Sequence, residues 1–87
     1  MERMMSRREI EIEERIDELT VELQYAKSDL EHCDADLLGY EADYEDTKDK
    51  DRLPYIQSAK LDIERLEADI LALEAEIEEL EEEAKTA

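Results

Sequence analysis

The chain has one glycine, one proline and one cysteine in 87 residues, and neither tryptophan nor phenylalanine. An all-β fold needs frequent turn formers and large rings to fill its core, so it is excluded. The lone Cys33 rules out an internal disulfide and fits a reducing compartment, so a cytoplasmic location is expected. Apolar runs fall far short of the roughly 20 residues that a membrane span takes. The start, Met1-Glu2-Arg3-Met4-Met5, lacks the apolar stretch of a signal peptide, and 1–5 reads as a flexible N-terminus. Basic charge is scarce too: eleven Lys and Arg stand against 29 Asp and Glu, for a formal net charge of −18. Nucleic acid and anionic membranes need a basic footprint, so direct binding to either is not expected.

What remains is abundant charge, 46% of residues, interleaved with 41% apolar residues whose order sets the fold class. From Ile12 the apolar positions run Ile12, Ile16, Leu19, Leu23, Ala26, Leu30, Cys33, Leu37, Tyr40 and Tyr44. The steps alternate four and three, the a/d pattern of a coiled-coil seam. A second unbroken series runs Ile56, Ala59, Ile63, Leu66, Ile70, Leu73, Ile77, Leu80 and Ala84. The two differ in phase, since the first, continued, would reach Asp51 and Ser58. Pro54 lies in the break, where it ends one helix and opens the next. It also biases Leu53 away from helical dihedrals. The expectation is an all-α, antiparallel two-helix coiled-coil hairpin: helix one over 6–45, a tip over 46–53, helix two over 54–84. Ser6 and Glu9 form a capping-box pattern at the start, with Met5 and Ile10 spaced for a hydrophobic staple.

Charge gives a separate reading of the orientation. A tip centred near residue 50 sets Lys27 against Glu74, Glu41 against Lys60, and Arg15 against Glu83. It also brings the basic start, Arg3, Arg7 and Arg8, beside the acidic end at 78–83. Each terminal cluster opposes its own helix dipole, and side by side they compensate. Several apolar residues fall outside the seam. Val21, Tyr25, Ala35, Leu38 and Ala42 lie on helix one; Leu61, Ala68, Leu71, Ala72 and Ala75 lie on helix two. They read either as ordinary surface scatter or as a second stripe that packs on another chain. A thin two-helix core favours the second, with Leu38, Ala42, Leu61, Ala68 and Leu71 as candidate self-association residues in a homodimeric four-helix assembly.

The motifs for chemistry are weak. Asp34, Asp36, Gly39 and Glu45 match positions one, three, six and twelve of a calcium loop. Leu38 stands at position five, where Asp or Asn belongs, however, and the seam runs straight through as Leu37, Tyr40 and Tyr44. Asp29, His32, Cys33 and Asp36 share helical spacing, yet no Glu-x-x-His pattern accompanies them. There is no nucleophile–base pair and no phosphate loop. The expectation is a non-enzyme without metal or cofactor, acting by binding a protein.

Two readings of that binding compete. In one, the acidic surface imitates nucleic acid and blocks the basic groove of a nucleic-acid-binding protein, as a small viral or mobile-element inhibitor of host defence would. Asp62, Glu67, Asp69, Glu74 and Glu76 are its candidate partner-binding residues. A rod of two 40-residue helices is about 60 Å long, giving about one carboxylate per 2 Å against roughly one phosphate per 1.7 Å of duplex. In the other, the chain is a structural or adaptor coiled coil that docks partner helices on its outer apolar stripe, and the acidity serves solubility. Tyr25 and Tyr55, both off the seam, are further contact candidates.

Overall fold

The computed structural model describes residues 5–86. Two helices, α1 (Arg7–Thr47) and α2 (Leu53–Thr86), are joined by a short connection holding a 3-10 turn at Lys50–Arg52. They fold back on one another into a rod whose Cα atoms extend 69 × 18 × 13 Å. Of the expected N-terminal segment 1–5, all but Met5 lies outside the described residues, as does Arg3.

The caps explain where the helices start and stop. Ser6, extended at φ −67° and ψ 160°, accepts a hydrogen bond from the Glu9 amide through its Oγ at 3.1 Å. That satisfies one of the four amides a helix start leaves unpaired. At the far end Lys48 takes a left-handed conformation, φ 53° and ψ 27°, and its amide donates to the Tyr44 carbonyl at 2.7 Å. Beyond it, the Asp49 carboxylate accepts from the Asp51 amide at 3.0 Å, and the Arg52 amide donates to the Asp49 carbonyl at 3.0 Å.

These turn bonds shorten the connection. Helix α1 outlasts the expected end at 45, and α2 opens at Leu53, so the tip narrows from 46–53 to 48–52. Leu53 is right-handed helical, φ −58° and ψ −41°, against the bias of the following proline. The Leu53 amide donates to the Lys50 carbonyl, and this turn carries the chain into helix one residue before Pro54. Pro54 then sits in the first turn, where its missing amide removes no helical bond.

Left-handed backbone costs a residue with a side chain about 1–2 kcal/mol, whereas glycine meets no such strain. Lys48→Gly is therefore expected to stabilise the hairpin by about 0.5–1 kcal/mol, once glycine's greater unfolded-state freedom is subtracted. Thermal melting should rise by several degrees. A fall would mean that the contacts of the Lys48 ammonium outweigh the strain; it lies 3.0 Å from Glu45 and 5.5 Å from the Tyr44 ring centre.

Every seam residue of both series is buried or half-buried, and among the described residues every apolar one outside the seam is exposed. The core is uneven along the rod. Ile12 and Leu19 are the largest fully buried side chains, while Ile56, Ala59, Ile63 and Ile70 keep slightly more exposure. Two cross-helix ion pairs flank Ile12. Arg8 and Arg15 stand at i−4 and i+3, on the same helical flank, and reach across to Glu83 and Glu76. Towards the tip the seam turns smaller and more polar, through Cys33, Ala59 and Tyr40, and the Tyr40 and Tyr55 rings meet with centres 5.8 Å apart.

The register differs from the charge-based expectation. Arg15 pairs with Glu76 at 3.3 Å, not Glu83, which pairs with Arg8 instead. The slip is seven residues, one heptad, so each helix keeps the same face towards its partner. Among the described residues no ion pair joins Lys27 to Glu74 or Glu41 to Lys60.

Candidate functional site

Heptad geometry places the five candidate acids of α2 on two flanks rather than one. With Ile63 at a and Leu66 at d, Asp62, Asp69 and Glu76 occupy g, whereas Glu67 and Glu74 occupy e. These positions border the seam on opposite sides. All five are exposed. Glu76 is held by Arg15; the other four meet no cation among the described residues.

On the g flank the structure adds acids that sequence reasoning did not select. Helix α1 contributes Glu22, Asp29 and Asp36 from its own g positions, across the seam from Asp62 and Asp69. Glu22, Asp29 and Asp69 line one open groove with Tyr25, Ala26, Leu66, Ala72 and Leu73. Asp36 and Asp62 line the next recess towards the tip, together with Cys33, Tyr40 and Tyr55. The signal was present in the sequence, because the a/d assignment already fixes g on both helices.

Cations mark the two ends of this flank. At the open end stand Arg8–Glu83 and Arg15–Glu76; at the tip Arg52 reaches Asp43 at 3.6 Å. Between them, from Glu22 to Asp36, about 21 Å of helix carries acids from both chain directions. Arg65 lines a recess there with Asp29, His32, Cys33, Asp62 and Leu66, but among the described residues no ion pair ties it to an acid.

Cys33 reports the local field. Its thiol is pushed above its ordinary value by burial first, and then by the charges of Asp62, Asp36, Asp29 and Asp34. The folded chain thus holds this proton more tightly than the unfolded chain. The resulting stability is present below the ordinary thiol value, about 9, and is lost as pH rises through the folded value. Alkylation by iodoacetamide at pH 8 should be slower in the folded hairpin than in urea. Equal rates would show that the thiol does not sense the flank.

The calcium-loop pattern lies wholly within α1. A straight helix sets Asp34 and Glu45 about 16 Å apart along its axis, so they do not converge on one ion. Gly39 takes no positive φ, and a Cβ built on it would meet nothing within 4 Å. Among the described residues, no group of three or more His, Cys, Asp or Glu is placed to hold a metal, and no helix is long and apolar enough to cross a membrane.

The five candidate self-association residues are exposed, with Leu38 at 70%, Leu61 at 62% and Leu71 at 69%. They do not form one patch. Ala42 on α1 and Leu61 and Ala68 on α2 are f positions, each opposite its own seam, so the two groups face away from one another. Tyr25 is exposed at 69%, on the rim of the g-flank groove. Tyr55 is anchored by its ring contact with Tyr40. No protein-family model, curated protein or solved structure matches this chain.

Proposed function

We propose that this hairpin is a non-enzymatic inhibitor that occupies the basic groove of a nucleic-acid-binding protein. One observation carries the reading: two rows of exposed aspartate and glutamate run antiparallel on either side of the g-flank groove. A duplex offers its partners the same arrangement, two antiparallel rows of anions across a groove. Packed helix axes stand roughly 8–10 Å apart, between the widths of about 6 Å and 12 Å of the minor and major grooves. The charge is sparser than in a duplex: 29 acids over 69 Å give about one per 2.4 Å. The imitation is therefore local, centred on Asp29, Asp36, Asp62 and Asp69. A role against host defence, viral or mobile-element in origin, suits so small and acidic a chain.

The test uses a partner recovered on immobilised hairpin. Its affinity should fall at least about tenfold between 50 and 200 mM NaCl, because attraction between opposite charges is screened. Reversing Asp29, Asp36, Asp62 and Asp69 to Lys should weaken it strongly, and duplex DNA should compete. A partner that binds DNA and the hairpin together, with no mutual loss of affinity, ends this reading.

The exposed leucines Leu38, Leu61 and Leu71 support a second reading, an adaptor that docks helices on its outer faces. That mode would show weak salt dependence, no competition by DNA, and loss of binding on Leu61→Glu or Leu71→Glu.

A further inference from the structure

The outer face of α1 carries a longer uncharged run than that of α2, whose c and f positions include Arg65, Glu79 and Glu82. On α1 the c and f positions from residue 21 to 42 are Val21, Tyr25, Ser28, His32, Ala35, Gly39 and Ala42, without one acid or fixed cation. Acids crowd both edges: Glu22, Asp29 and Asp36 on one side, Glu31, Asp34 and Glu41 on the other, where Lys27 is the one cation. Leu38 stands beside the small residues, largely exposed.

Gly39 is the feature that the fold does not account for. Glycine inside a helix costs about 1 kcal/mol relative to alanine. Here it makes no turn, takes no positive φ, and has open space where a Cβ would stand. Ala35 and Gly39, one turn apart, leave the α1 backbone open to close approach by another helix, as small residues do where helices pack tightly. The surface also has area to spare. The hairpin exposes 6985 Å², whereas a compact chain of its mass exposes about 5,300 Å². The excess is about twice the ~800 Å² that one partner contributes to a standard interface.

We propose that this face docks one helix of a partner, with an apolar or small-residue seam and Lys or Arg along both edges. Charge selects that occupant. A second copy would bring its own acidic edges against these, each chain at −18, whereas a basic-edged helix meets an acid row on each side. The inference rests on the reading of this protein as a ligand for basic proteins, and adds the shape by which such a partner is held.

The experiment uses the full chain and a synthetic four-heptad helix with Leu and Ala at its seam and Lys on both edges, beside a control with Glu edges. The variant Ala35→Gln/Gly39→Gln adds bulk without charge, and Gln is a better helix former than Gly, so folding is kept. At 150 mM NaCl the Lys-edged helix should bind and the Glu-edged one should not. The variant should bind about tenfold more weakly, with an unchanged salt slope. Equal binding by the variant overturns the proposal, since the contact would then be charge alone; so does no binding of the Lys-edged helix. Sedimentation of the wild type at about twice the chain mass, with the variant returning to one chain, also overturns it in favour of a second copy. Failure of duplex DNA to compete for the natural partner would sink the decoy reading separately, leaving the result with the synthetic helix standing.

Discussion

Leu19→Ala is expected to remove about 2–5 kcal/mol of stability, the range for truncating a fully buried leucine. Leu19 is 1% exposed, and only Ile12 matches it among the large side chains. A two-helix scaffold of this size holds a reserve of about 3–5 kcal/mol at best. The variant should therefore be mostly unfolded at 37 °C, read as loss of helical circular dichroism. Leu71→Ala, on the exposed side of α2, should stay within about 0.5 kcal/mol of the parent. If the two variants melt alike, the seam is not the core.

Raising NaCl from 10 to 500 mM is expected to raise the melting temperature of the isolated hairpin by roughly 10 °C, given about 4–8 °C per kcal/mol for a domain of this size. Two effects compete. Salt weakens ion pairs such as Arg15–Glu76, but exposed pairs contribute only tenths of a kcal/mol each. It also relieves the self-repulsion of a net charge of −18, including the facing rows at Asp29, Asp36, Asp62 and Asp69. The second effect is larger. A melting temperature that falls with salt would mean that the cross-helix pairs hold the fold together. Partner binding should respond with the opposite sign, so the same titration separates folding from function.

The seam was legible because a/d periodicity reports burial directly: no seam position from Ile12 to Tyr44, or from Ile56 to Ala84, is exposed. The start at Ser6 was legible because an N-cap is local chemistry. Register was less so. Charges here recur with the heptad, so Arg15 finds a glutamate at 83 or at 76, and ion pairing alone does not choose. The choice falls to the tip, where Lys48 accepts a left-handed backbone without being glycine, a conformation that no residue preference announces. The candidate site was half legible. Asp62 and Asp69 were singled out, but grouping them with Glu67 and Glu74 joined two flanks that the seam divides. Glu22, Asp29 and Asp36 lie on the other helix, and only the shared g flank, not either helix alone, sets them beside Asp62 and Asp69.

The antiparallel ladder limits how such a chain can change length in evolution. Residues 26–32 of α1 lie across from 64–70 of α2, as the grooves shared by Ala26, Asp29, Leu66 and Asp69 show. Deleting either heptad alone keeps both seams in phase but shifts every pair on one side of the cut, parting Arg8 from Glu83 or Tyr40 from Tyr55. Deleting both together spares the two ends and shortens the rod by about 10 Å. Descendants and ancestors of this hairpin should therefore differ by fourteen residues at a time, seven from each arm, with base and tip unchanged.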